Sequence, residues 1–130
     1  MAKVQVEKGN LGRFSFYNAA DVAEEHRGWV LGAFIADNAG SPLTDAFEVK
    51  WAHYGAGEGR SEWASPTSGV SVHIVLSGVY WMMFAPNGVD DDILERTMCA
   101  GEVCFWENSV PHKGLMEEAG EGITIRRLRD

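Results

Sequence analysis

Cysteine is scarce in this chain: two residues, Cys99 and Cys104, in 130. They are separated by an odd offset, so on one strand they would face opposite ways and no local disulfide is expected. That excludes a disulfide-built scaffold and points to a reducing, cytoplasmic setting. Basic charge is also scarce. Lys and Arg together number 11 against 19 Asp and Glu, for a net charge of −8. An acidic chain repels phosphate backbones, so nucleic acid is not expected as a partner. The one basic cluster, Arg126, Arg127 and Arg129, reads as an exposed strand end. No apolar run approaches the roughly 20 residues of a membrane helix, and residues 1–10 are mixed and polar, unlike a secretory leader. No membrane partner is expected. Phosphate-binding loops, dinucleotide fingerprints, paired-His zinc helices and nucleophile elbows are all missing. The run Asp90, Asp91, Asp92 lacks calcium-loop spacing and reads as a solvated loop tip.

What is present is short apolar segments punctuated by 15 glycines. Residues 18–26 are the one helical stretch, with Asn18 as its cap and Asp21, Glu24 and Glu25 in its early turns. The rest reads as β. Strands are expected over residues 13–17, 29–35, 47–54, 70–76, 79–84, 93–98, 102–106, 113–117 and 123–128. The segment 47–54 alternates, with Phe47, Val49, Trp51 and His53 on one face and Glu48, Lys50, Ala52 and Tyr54 on the other. In 70–76, Val70, Val72, Ile74 and Leu76 share one face and Ser71, His73 and Val75 the other. The run 79–84 is apolar throughout and should be buried on both sides. Eight or nine short strands about ten residues apart predict an all-β sandwich or barrel in a single domain, 1–130, with an N-terminal extension 1–45 and a barrel core 46–130.

Two segments carry a resemblance. Gly101–Met116 (GEVCFWENSVPHKGLM) resembles the second motif of the cupin superfamily, G-x5-P-x-G-x2-H-x3-N, with Gly101 and His112 in register. Glu107, Ser109 and Met116 stand where the family has Pro, Gly and Asn. Gly57–Gly78 resembles the first motif, G-x5-H-x-H-x(3,4)-E-x6-G, with one extra residue before the Glu position. Both glycines match, while Trp63 and Ser65 occupy the two His positions and Ser71 the Glu position. A wider similarity, from His26 to about Leu128, is to small bacterial cupins. The resemblance implies a single-domain jelly-roll β-barrel with one short N-terminal helix, and a homodimer, for which the apolar segment 29–35 is a candidate interface.

Metal-binding cupins hold their ion with three His and one Glu, whose donor atoms sit about 2 Å from it. Of those four positions only His112 keeps its ligand type. An indole has no lone pair to give and hydroxyls are poor ligands for transition metals. No cofactor is therefore expected. The alternative is a divalent transition metal held by a rebuilt set of His73, Cys104 and His112. Trp63 in place of a ligand would fill the ion's space and make the cavity aromatic. The expected function is to bind a small organic ligand without a metal, in a pocket formed by Trp63, Ser65, Ser71, His73, Trp106 and His112. The alternative is an enzyme, an isomerase or lyase or a metal-dependent one, with His112 as acid, base or ligand and Glu107 or Glu102 to orient it or share the proton. A third possibility is an interaction module whose barrel is plugged by Trp63.

Overall fold

The computed structural model of the protein describes residues 4–128. Its first element is a hairpin, β1 (Gln5–Gly9) and β2 (Gly12–Phe16), turned at Asn10-Leu11. The Arg13 guanidinium ties it to the following loop, donating to Asp37 Oδ2 at 2.9 Å and to the Pro42 carbonyl at 3.1 Å. Helix α1 (Ala19–Glu25) begins where expected: the Asn18 side chain accepts the Asp21 N–H at 3.1 Å. It buries Val22 and packs on the strands that follow.

The strands are β3 (Trp29–Leu31), β4 (Glu48–Tyr54), β5 (Gly59–Arg60), β6 (Val70–Val75), β7 (Val79–Phe84), β8 (Leu94–Cys99), β9 (Val103–Glu107), β10 (His112–Glu118) and β11 (Gly120–Arg127). They form two sheets, a four-stranded one in the order β5-β10-β7-β8 and a five-stranded one in the order β3-β4-β11-β6-β9, with every pair antiparallel. The two sheets face each other as a jelly-roll barrel, the all-β architecture expected.

Some expectations need correction. The segment 29–35 is a strand only to Leu31. Its pairing with β4 shifts register there, and the chain leaves the sheet. β3 nevertheless belongs to the barrel sheet, although it lies within residues 1–45. The β7 run is not buried on both sides: Met82 is buried, while Trp81 and Met83 on the outward face are half-exposed. Strands β1 and β5 were not anticipated, because neither has an apolar alternation to announce it.

Cross-strand register decides what faces inward. β11 lies between β4 and β6, so Thr124 sits beside both Lys50 and His73, and Arg126 beside both Glu48 and Ser71. β6 adjoins β9, which sets His73 opposite Cys104 and Ser71 opposite Trp106. The burial of β6 alternates, with Ser71, His73 and Val75 buried and Val70, Val72 and Ile74 half-buried. Toward β8 and β9 the interior is dry: Val75, Met82, Met98 and Trp106 form one cluster, flanked by Tyr80, Phe84 and Cys104. Toward β4, β5 and β10 it opens into a cavity. Both matching glycines of the first motif have backbone reasons. Gly57 has φ 85° and Gly78 has φ 80°. A Cβ at Gly78 would also meet the Ala119 and Glu118 carbonyl oxygens at 2.6 and 2.7 Å.

Candidate functional site

The cavity has a volume of about 670 Å³ and is open to solvent. It is walled by polar side chains as well as rings. Ser65, Ser71, His73, Trp106 and His112 all line it, brought together from the loop before β6, from β6, β9 and β10. Trp63 does not line it. That residue lies in the irregular segment between β5 and β6, half-buried, with the Lys113 ammonium 4.7 Å from its ring centroid. Ala64 N–H donates to the His112 carbonyl at 2.9 Å and pins this segment beside β10, but Trp63 packs at Lys113 rather than in the wall. The barrel is thus not plugged by Trp63, and the cavity remains open.

Each polar group in the wall has a definable state. The Ser71 hydroxyl donates to Asn108 Oδ1 at 2.5 Å, and Asn108 Nδ2 donates to the Ser68 carbonyl at 3.1 Å. Both side chains are buried, so this pair satisfies groups that would otherwise be desolvated without compensation. His73 Nδ1 lies 2.9 Å from Thr124 Oγ1, and its ring is 4.8 Å from that of Tyr80. Its Nε2 has no hydrogen-bond partner among the described residues and packs at Gly122, where a Cβ would meet it at 2.7 Å. Burial, and secondarily the Lys50 ammonium, lower the His73 pKa to about 4, so the ring is neutral at pH 7. The Trp106 indole N–H is also buried without a partner among the described residues.

His112 Nδ1 lies 3.1 Å from the Val110 carbonyl, which can only accept. The proton is therefore on Nδ1 and the lone pair on Nε2. Burial lowers its pKa, the Val110 contact opposes that shift, and the charges of Arg60 and Arg126 lower it further. The ring lies 4.9 Å from that of Trp106 and 6.4 Å from that of Phe84. Among the described residues no carboxylate or second imidazole is within hydrogen-bond distance of His112. Glu107 is exposed on β9, opposite Val70, and alternation turns it away from the interior that Trp106 faces. The Glu102 carboxylate accepts the Cys99 N–H at 2.7 Å. The two-residue acid–base arrangement of His112 with Glu107 or Glu102 is therefore not formed.

Nor is the donor set His73, Cys104 and His112 formed. Cys104, although in register with His73, lines a different cleft, between β8 and β9, and burial raises its thiol pKa. Among the described residues no three His, Cys, Asp or Glu side chains gather as donors. Of the four positions that the cupin motifs use for metal, Trp63 lies outside the wall, Ser65 offers only a hydroxyl, Ser71 is committed to Asn108, and His112 offers one nitrogen. This donor set does not fit a cupin metal ion. Cys99 and Cys104 are both free.

Several wall residues were not singled out from the sequence. Lys50, Tyr54, Arg60, Tyr80, Asn108 and Arg126 line the cavity. Arg126 was expected at an exposed strand end. It is instead half-buried, bonded to Glu48 Oε1 through Nε at 2.9 Å and Nη2 at 2.6 Å, with its guanidinium 4.6 Å from the Trp29 ring centroid. Arg127 is exposed, and Arg129 lies outside the described residues. The alternation of β4 announces that Lys50 and Tyr54 share a face, but only the pairing with β11 makes that face the inner one.

No family model matches the chain, and no curated protein does. Solved structures do. An RmlC-like cupin from Shewanella frigidimarina superposes with a TM-score of 0.54 at 14% identity, over 65% of this chain and 69% of that one. A cupin protein from Bacteroides fragilis gives 0.53 at 15% identity, over 68% and 70%. Hydroxypropylphosphonic acid epoxidase from S. wedmorenis, in complex with fosfomycin, gives 0.50 at 17% identity, over 62% of this chain and 43% of that one. At these identities the likeness is one of fold: the chain has the jelly-roll fold of the cupins.

Proposed function

We propose that the barrel binds a small organic ligand in its open cavity and does so without a resident metal ion. The observation that carries this reading is the cavity wall itself. It is roomy enough for a small molecule, combines the Tyr54, Tyr80 and Trp106 rings with a few fixed polar groups, and gathers too few donors for an ion. The test is a titration of the isotope-labelled protein with a panel of small organic compounds, followed by amide and indole N–H resonances. Binding at the site moves the Trp106 indole signal and the amides of His73 and His112. A purified protein that carries a stoichiometric transition metal, lost together with activity in His112→Ala, would overturn the reading.

The enzyme reading keeps one specific support, the neutral His112 ring with a free Nε2 lone pair in the wall. On that reading it would act alone, as a single proton acceptor, since no carboxylate among the described residues lies beside it to share the work.

We place the chain in the cytoplasm, consistent with its two free thiols; no helix among the described residues is long and apolar enough to cross a membrane. We propose a homodimer, with a different interface from the segment 29–35. The Trp29 ring lines the cavity under Lys50 and Arg126 and is not available to a partner. The outer face of the five-stranded sheet is the better surface. There Phe105 pairs with Val72, Val72 with Ile125, and Val103 with Ile74, a continuous apolar patch in which Phe105 and Val103 are each 61% exposed. A patch this free of charge lets two chains of net charge −8 meet without like-charge contact.

A further inference from the structure

The charges in the cavity wall run against those of the chain. Acids outnumber bases 19 to 11 overall, yet of the four charged residues in the wall, Lys50, Arg60 and Arg126 are cationic and Glu58 alone is acidic. The Glu58 carboxylate is occupied, accepting the Gly55 N–H at 2.7 Å in its own turn. Arg126 is neutralised by Glu48. Lys50 and Arg60 have no carboxylate within salt-bridge distance among the described residues, and they come from opposite sheets, β4 and β5.

Their placement brackets an aromatic pair. The Lys50 ammonium is 5.7 Å from the Tyr54 ring centroid, and the Tyr54 and Tyr80 rings are 6.5 Å apart. On the other side, Arg60 pairs with Gly114, whose Cα sits against the Tyr80 ring: a Cβ there would meet it at 2.7 Å. Gly28 packs against the Lys50 stem, at 3.1 Å from Cε to a notional Cβ, and so steers the ammonium. The Tyr80 phenol has no hydrogen-bond partner among the described residues, and burial pushes its pKa up to about 12, so it keeps its proton and can donate. Uncompensated cations over low-dielectric walls focus a positive potential inside an otherwise negative molecule.

We propose that the ligand of this cavity is a small organic anion, drawn in by the positive field of Lys50 and Arg60, with its acid group on one of these two cations and its flat body lying against Tyr54 and Tyr80. This rests on the small-molecule reading above and narrows it to a carboxylate or a phosphate ester of an aromatic compound. A guanidinium suits either acid as a forked donor, and an ammonium adds a point charge.

The test titrates the full-length, isotope-labelled protein with benzoate, phenyl phosphate, benzamide and benzylamine, and reads dissociation constants from the cavity resonances. One of the two anions is expected to bind at least about tenfold more tightly than benzamide, and benzylamine most weakly. The preferred anion reports whether the acid is a carboxylate or a phosphate. Arg60→Gln, at an exposed position where the fold tolerates change, is expected to weaken the preferred anion about tenfold and leave benzamide unchanged. Lys50→Met should act in the same direction. If benzamide or benzylamine binds at the cavity as tightly as both anions, or Arg60→Gln leaves anion affinity unaltered, the anion inference fails while small-molecule binding stands. If no probe moves any cavity resonance, both fall.

Discussion

Along β4, β11 and β6 the five-stranded sheet turns Lys50, Thr124, Arg126, Ser71 and His73 into the barrel, and turns Val49, Trp51, Ile123, Ile125, Val72 and Ile74 outward. The same strands therefore carry a polar inner face and an apolar outer one. A sheet whose only task was stability would do the reverse, since apolar area gains about 25 cal/mol per Å² when taken from water. The inner face is tolerable because three of its polar side chains have specific partners: Arg126 with Glu48, His73 with Thr124, Ser71 with Asn108. Those partners hold the wall in one arrangement. The outer face shows no such pairing beyond one end, where Glu121 accepts the Trp51 indole N–H at 3.0 Å and lies 3.8 Å from His53. The inner surface is built by pairing, and the outer one is the face proposed above for the dimer.

The largest expected effect comes from breaking an inner pair. Asn108→Ala removes the acceptor of the Ser71 hydroxyl and the donor to Ser68 in a buried place, and should destabilise by about 2–4 kcal/mol in urea unfolding. A loss under about 0.5 kcal/mol would mean that water replaces the pair at no cost.

A smaller effect follows from His73. Its folded pKa of about 4 lies below its ordinary 6.5, so between those values the unfolded chain takes up a proton that the folded one refuses. Stability should therefore be unaffected above pH 6.5 and fall as the pH drops toward 4, by about 2 kcal/mol between pH 7 and 5. His112, lowered too, adds in the same direction. His73→Phe should flatten much of this slope; an unchanged slope would assign the acid sensitivity elsewhere.

The smallest effect on the chain's own stability is expected on the outer face. Phe105→Ser, at a position 61% exposed, should change it by under about 0.5 kcal/mol. Its readout is sedimentation equilibrium, in which the parent protein runs as two copies and the variant as one. A parent protein that sediments as a single copy removes the dimer from the comparison.

Parts of this site are readable from residues alone. Period-two alternation pairs Ser71 with His73 and Lys50 with Tyr54, because neighbouring side chains of a strand must face opposite ways. Motif spacing brings His112 and the turn glycines into view. Trp63 shows where this stops. Its place in the motif predicts a cavity residue, but it sits in an irregular segment, where no strand alternation sets its direction, and its ring packs at Lys113 instead. Asn108 and Arg60 escape notice, and Arg126 is read as an exposed strand end, for another reason. Each acts on a partner or neighbour far along the chain, and a partner such as Ser71, 37 residues from Asn108, leaves no local pattern.

What the amino-acid order determined by itself is local: short strands, their two faces, a capped helix and the turns that need glycine, all set by steric and solvation preferences within a few residues. Which face is inside was decided only by tertiary structure. That choice depends on β11 lying between β4 and β6, and on the sheet closing over β7 and β10. Long-range register gathers Lys50, His73, Arg60 and His112 into one wall, because a pairing slipped by one residue would have turned the apolar face inward instead.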